Sequence, residues 1–227
     1  MPQPPVTRPG AVIFDLDGTL IDSAPDIGAA LNRFLLRHGR PPVTDAQVRT
    51  MIGDGAGNLL RYAFAATGAP LEPGGEARLL PDFLDDYEAQ PADPRTLYPG
   101  VPETLEALAA AGIALGLCTN KPERVTRVVL DQVGLATRFA AVAGGDTLAF
   151  RKPDGRHLAW VAERLGAAPG TSVMVGDNAN DVGAARAAGM PVIAVSYGYP
   201  RMPVAELGAD LVIDRFADLP GALARLR

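Results

Sequence analysis

The sequence predicts an α/β protein, a parallel sheet with a block of helices inserted after its first strand. Three observations lead there. A short apolar run, Ala11-Val12-Ile13-Phe14, stands near the start and leads into Asp15-Leu16-Asp17-Gly18-Thr19-Leu20. From about residue 21 to 93 there is helical periodicity and no convincing strand. From Tyr98 onward, short apolar runs alternate with helical segments, the signature of a parallel sheet.

The first run reads as a buried strand, because strands of parallel sheets are covered on both faces and carry continuous apolar residues. Side chains repeat every two residues in an extended segment, so Asp15 and Asp17 are expected to face one way. Gly18 supplies the positive φ of a tight exit. In the block that follows, 26–38 has Ile27, Leu31, Phe34 and Leu35 at helical spacing, and 44–51, 57–66 and 76–88 read as further helices. The segment 90–94, with two prolines, reads as a linker. Beyond it the order is helix 103–111, strand 113–118, helix 122–133, strand 140–143, helix 153–165 and strand 172–175. Helix 180–188, strands 192–195 and 211–213, and a closing helix over 216–226 complete the reading.

With 227 residues, 48% of them hydrophobic, the chain can bury one large core or two small ones. A formal net charge of −5 argues against nucleic acid as a partner, since phosphate backbones attract basic surfaces. Cys118 is the only cysteine, which rules out an intrachain disulfide and suits a reducing compartment. The first ten residues are Pro-rich without the apolar core of a signal peptide, and no run approaches the roughly 18 apolar residues of a membrane span. The expectation is a cytoplasmic protein with no membrane partner, a monomer or homodimer.

Chemistry-bearing residues fall at the ends of the expected strands, where open α/β sheets bind ligands. Asp15 and Asp17 follow the first. Thr119 and Asn120 follow 113–118, just before Pro122 opens a helix; a hydroxyl, an amide and free backbone N–H groups there cradle an oxyanion or simply cap the helix. Lys152 precedes Pro153 at a loop-to-helix junction, either reaching across the sheet edge or solvated. Asp177 and Asp181 flank the turn after 172–175, and hard oxygen ligands on such a turn suit Mg²⁺. Four acids brought to one rim repel one another by several kcal/mol, which a divalent cation and Lys152 relieve. In the helical block, Gly53, Gly55 and Gly57 let backbone approach a small ligand, and Arg61 pairs with a second anionic group or stays solvated beside a packing cluster. Cys118, His38, His157 and Trp160 read as structural.

These motifs together resemble those of the haloacid dehalogenase superfamily of phosphatases, over nearly the full chain. Asp15-Leu16-Asp17-Gly18-Thr19 matches the first motif, Thr119 the second, Lys152 the third, and Gly176-Asp177 with Asp181 the fourth. Ile52-Gly53-Asp54-Gly55, Tyr98-Pro99-Gly100-Val101, Cys118-Thr119-Asn120-Lys121-Pro122, Gly144-Gly145-Asp146 and residues 209–214 make it most similar to bacterial phosphoglycolate phosphatases. Two departures stand out: Asn178 replaces the usual serine, and Asp154-Gly155 replaces the usual His-Pro after Lys152-Pro153.

The resemblance implies a Rossmann-like catalytic core over 1–20 and 95–227 with a helical cap over 21–94. It implies Mg²⁺-dependent hydrolysis of a small phosphorylated metabolite, 2-phosphoglycolate to glycolate and phosphate, through an aspartyl-phosphate. Asp15 is then the nucleophile and Asp17 the acid and base. Asp15, Asp177, the Asp17 carbonyl and, through the outer shell, Asp181 hold the metal. Thr119 and Lys152, with the N–H groups of Leu16 and Asn120, bind the phosphoryl oxygens. Gly55 and Arg61 contact the substrate from the cap. The alternatives are a phosphatase for another sugar phosphate, a phosphomutase, and a phospho-accepting signalling domain, which needs neither Asp17 nor a cap.

Overall fold

Apolar side chains on six short strands alternate between two faces and so define two cores. The strands, in a computed structural model that describes residues 9–89 and 96–226, are β1 (Ala11–Phe14), β2 (Ala114–Cys118), β3 (Ala141–Ala143), β4 (Ser172–Gly176), β5 (Val192–Val195) and β6 (Leu211–Ile213). They form one sheet in the order β3-β2-β1-β4-β5-β6, with every pair parallel. This is the Rossmann-like order, with the topological switch between β1 and β4. The expected linker 90–94, with the boundary between cap and core, lies outside the described residues, as do residues 1–8.

Register fixes which helix covers which face. Val12 and Phe14 lie beside Leu115, Leu117, Val173 and Val175, and share one core with α5 (Val101–Ala110), α6 (Glu123–Gln132) and α9 (Leu219–Leu223). Phe14 meets Phe216 and Phe139 at ring-centroid distances of 5.8 and 6.2 Å. Ile13, one residue over, belongs with Cys118, Met174, Val192 and Ala194 to the opposite core, covered by α7 (Gly155–Arg164) and α8 (Ala179–Ala188). A one-residue slip would exchange the two sets, so the register is strongly specified.

Between β1 and β2 lie α1 (Ala24–Arg37), α2 (Asp45–Met51), α3 (Ala56–Ala66) and α4 (Gly75–Glu88). α1 buries Ile27, Leu31, Phe34 and Leu35, the spacing read from the sequence. Thr44 and Gln47 form a capping box on α2. The two connections to this insert run side by side: the N–H of Asp22 donates to Thr96 O at 2.7 Å, and that of Tyr98 to Leu20 O at 3.0 Å.

Two of the departures from the expected helix bounds have a local cause. The closing helix expected over 216–226 is a 3-10 turn, Phe216–Asp218, followed by the short α9, because Pro220 tolerates only the first turn of a helix. α7 begins at Gly155 rather than 153, because Asp154 caps the helix by accepting the Arg156 N–H at 2.9 Å. A Cβ on Gly155 would stand 2.6 Å from the Ala188 nitrogen, so the Asp-Gly departure serves a capped start pressed against the end of α8.

Candidate active site

β1 stops at Phe14, and the Asp15 N–H continues the sheet by donating to Val175 O at 3.0 Å. Gly18, at φ 81°, then turns the chain away. Asp15 is buried, and its Oδ1 accepts the Leu16 N–H at 2.8 Å and faces Lys152 Nζ at 2.9 Å. Lys152 is also buried, with Nζ 2.6 Å from Asp181 Oδ1. One carboxylate oxygen from each of Asp15, Asp177 and Asp181 lies within 4.8 Å of the others.

The N-terminal turn of α8 builds half of this cluster. Asn178 and Asp181 form a capping box, and Asp181 Oδ2 accepts the N–H groups of Asp177 at 3.0 Å and Asn178 at 3.2 Å. Asp181 therefore serves as helix cap and as partner of Lys152 at once, with both oxygens committed. Asp177 Oδ1 accepts from the Asn178 amide at 3.0 Å, and its Oδ2 accepts the Tyr199 N–H at 2.6 Å. Asn178 thus helps to orient the Asp177 carboxylate.

Electrostatics follow from burial. It pushes the Asp15 carboxyl up to about 6, with Lys152 pulling down and Asp181 pushing up. Burial, then Asp181 and Asp15, hold Asp177 well above the usual carboxylate range. Burial works against the Lys152 charge, but Asp15 and Asp181 outweigh it and keep the ammonium above its ordinary value. Three crowded acids against one lysine leave negative charge uncompensated. The donor set is hard oxygen throughout, so it fits a divalent cation such as Mg²⁺ or Ca²⁺.

Asp17 does not join the other three acids. Its carboxylate pairs with Lys121 Nζ at 3.1 and 3.3 Å, while facing the same cavity as Asp15. The strand has already ended there, residues 16–21 forming a turn closed by the Gly18 N–H on Ile21 O, yet Asp15 and Asp17 still face one cavity. Lys121 is a site residue that the sequence reading missed. It is buried, its Nζ is 3.1 Å from the Tyr87 hydroxyl on α4, and it lies 4.6 Å from the Tyr87 ring centroid. Burial alone would lower it, yet Asp17 and Tyr87 hold it above the ordinary lysine value. The signal available in sequence was a lysine wedged between a strand end and Pro122.

Asp15 and Asp17 open into a cavity of about 50 Å³, room for a few waters, between the sheet edge and the insert. Thr119, Asn120 and Lys121 line it from the core; Ile27, Ile52, Gly53, Gly55, Leu59, Phe83 and Tyr87 line it from the insert. Thr119 Oγ1 accepts the Lys121 N–H at 3.3 Å. The Asn120 amide donates to Lys152 O and to Gly53 O, each at 2.9 Å, tying the insert to the sheet edge.

Gly55 reaches the cavity as expected, but Arg61 does not. It lies on the exposed side of α3, beside Asn58 at 3.4 Å, because the buried phase of that helix runs through Leu60, Ala63 and Phe64. Cys118 is buried and its thiol pushed up by burial, an inert core residue. His157 is buried with Nε2 3.1 Å from Gly144 O, and burial brings it down to about 4, so the ring is neutral.

Residues 12–195 match the family model for haloacid dehalogenase-like hydrolases. A phosphoglycolate phosphatase of Caulobacter vibrioides is 46% identical over 218 residues, 96% of this chain and 92% of that protein. One from Rhodospirillum rubrum is 48% identical over 216 residues, 93% and 89% of the two chains. Among solved structures, a protein described as a predicted phosphoglycolate phosphatase from Haemophilus somnus 129PT superposes with a TM-score of 0.83 at 32% identity, covering 94% of this chain and 97% of its own.

Proposed function

Since the chain belongs to the haloacid dehalogenase-like hydrolase family, we propose that it hydrolyses 2-phosphoglycolate to glycolate and phosphate, with 21–94 as the cap that closes over the site. The observation that carries the reading is the Lys152 ammonium set between the Asp15 and Asp181 carboxylates, with Asp177 alongside and Asp15 lining the cavity.

Mg²⁺ is the cofactor of the proposal: Asp15, Asp177 and the Asp17 carbonyl would hold it, with Asp181, paired with Lys152, in the outer shell. Bound there, it draws charge from the phosphoryl oxygens. Asp15 attacks phosphorus; the new Asp15–phosphorus bond forms as the bond to the glycolate oxygen breaks, and Asp17 delivers a proton to that oxygen. Asp17 then takes a proton from the water that cleaves the aspartyl-phosphate. Thr119, Lys152 and the N–H groups of Leu16 and Asn120 receive the phosphoryl oxygens, which requires the Leu16 N–H to leave the Asp15 carboxylate it now binds.

Lys121, rather than Arg61, is the cation within reach of a second anionic group. It is the one basic side chain among the residues lining the cavity. A substrate carboxylate that engages Lys121 releases Asp17 to turn toward the leaving oxygen. Apolar cap residues around it exclude water and leave space only for a small tail. The test is phosphate release from a panel of small monoesters with and without Mg²⁺: 2-phosphoglycolate should lead, and release should vanish with chelator. Preference for a neutral sugar phosphate would reject the substrate, and metal-independent release would reject the cofactor.

A further inference from the structure

The segment 196–201, after β5, carries none of the residues expected in the site, yet it touches the site, the hinge and the cap. The Tyr199 N–H donates to Asp177 Oδ2 at 2.6 Å. Its hydroxyl donates to Asp22 Oδ1 at 2.5 Å and accepts the Ala24 N–H at 3.1 Å. Asp22 and Ala24 stand where the chain enters the cap, and Asp22 also bonds Thr96, where the chain returns. Arg49 of α2 pairs with Asp22 at 3.0 Å and lies over the Tyr199 ring. Two residues on, Arg201 pairs with Asp54 Oδ2 at 2.6 Å and donates to Ile52 O at 3.0 Å, both in the cap loop that lines the cavity.

The segment is packed without slack. A Cβ on Gly198 would lie 2.5 Å from both Asp177 Oδ2 and Gly18 O. Tyr197 bonds Thr19 O at 3.0 Å. A shift of the hinge that drags the Tyr199 hydroxyl therefore moves the 198–199 backbone, and with it the donor that aims Asp177. We propose that Tyr199 is a positioning residue that couples cap closure to the orientation of the Asp177 carboxylate, so that a divalent cation is held more tightly when the cap is shut. The inference rests on the metal-site reading above but not on the identity of the substrate. Linkage makes it reciprocal: whatever closes the cap tightens the ion, and the ion favours closure.

The experiment uses Mg²⁺ alone. Calorimetry gives its affinity, and hydrogen exchange of the Asp22 and Tyr98 backbone amides, which donate to Thr96 O and Leu20 O across the hinge, reports closure. In the wild type, Mg²⁺ should slow exchange at both amides by about fivefold or more, the low end of measured couplings. Tyr199→Phe keeps the ring and the backbone donor; it should weaken Mg²⁺ binding by a similar factor and abolish the exchange response. Arg201→Ala, which loosens the cap at its far side, should weaken Mg²⁺ binding in the same direction, and the double variant should be less than additive. If Tyr199→Phe fails to fold, Asp22→Ala removes the acceptor of the Tyr199 hydroxyl and cuts the same connection from the hinge side. Wild-type affinity in Tyr199→Phe, or exchange at Asp22 and Tyr98 unmoved by bound Mg²⁺, overturns the coupling alone. No Mg²⁺ binding to the wild type overturns the metal site and the coupling together.

Discussion

Lys152→Met removes one charge and nearly preserves shape, so it isolates what the ammonium does. Nζ stands 2.9 Å from Asp15 and 2.6 Å from Asp181. At an effective dielectric near 20 each contact is worth about 6 kcal/mol, most of it offset by taking the three groups out of water. Removing only the lysine leaves the acids buried without that compensation, and breaking such a pair costs about 3–5 kcal/mol. Urea unfolding in chelator should register that loss, and saturating Mg²⁺ should restore part of it. Turnover should fall by about 10²–10³, the usual effect of deleting a donor aimed at transition-state charge. A variant within about 1 kcal/mol of wild type in chelator, or one that turns over normally, would refute the reasoning.

The same crowding sets a pH dependence. Without metal, Asp15 holds its proton up to about 6 against 3.8 for the ordinary side chain. Folded protein thus binds the proton more tightly than unfolded, so this contribution is greatest below pH ~4 and falls by about 3 kcal/mol as pH rises through 6. Mg²⁺ displaces that proton, so its thermal stabilisation should be larger at pH 7 than at pH 5; equal shifts at both would contradict the assignment. Asp17→Asn should lower kcat by about 10²–10⁴ while leaving Mg²⁺ affinity unchanged, because the Asp17 side chain faces Lys121 and not the other acids. Lys121→Met should cut the preference for 2-phosphoglycolate over phenyl phosphate, read as the ratio of their kcat/KM values, by about 10-fold or more, the worth of a charge-assisted hydrogen bond. Arg61→Ala should leave that ratio unchanged.

What was legible in the sequence was what depends on neighbours along the chain. The strands are found within a residue of their reading because each is a short apolar run between helices, and the α8 turn is fixed by a local capping box. Asp15, Lys152, Asp177 and Asp181 meet because each follows the carboxyl end of a strand or the loop beyond it. The failures lie where partners are remote or where a helix imposes its own phase. Asp17 finds Lys121 across 104 positions and Lys121 finds Tyr87 across 34, contacts that no periodicity announces. Arg61 sits on a helix whose buried positions, Leu60, Ala63 and Phe64, already placed it outside. The segment 196–201 has no motif at all; its role comes from a backbone N–H and a hydroxyl pointing at different partners.

A direct measurement is mass analysis of the peptide containing Asp15 after rapid acid quench of the enzyme turning over 2-phosphoglycolate with Mg²⁺. The account predicts a phosphoryl group on Asp15 that decays as free phosphate appears and is absent in Asp15→Asn. Phosphate release without any phosphorylated Asp15, or in the Asp15→Asn protein, would contradict it.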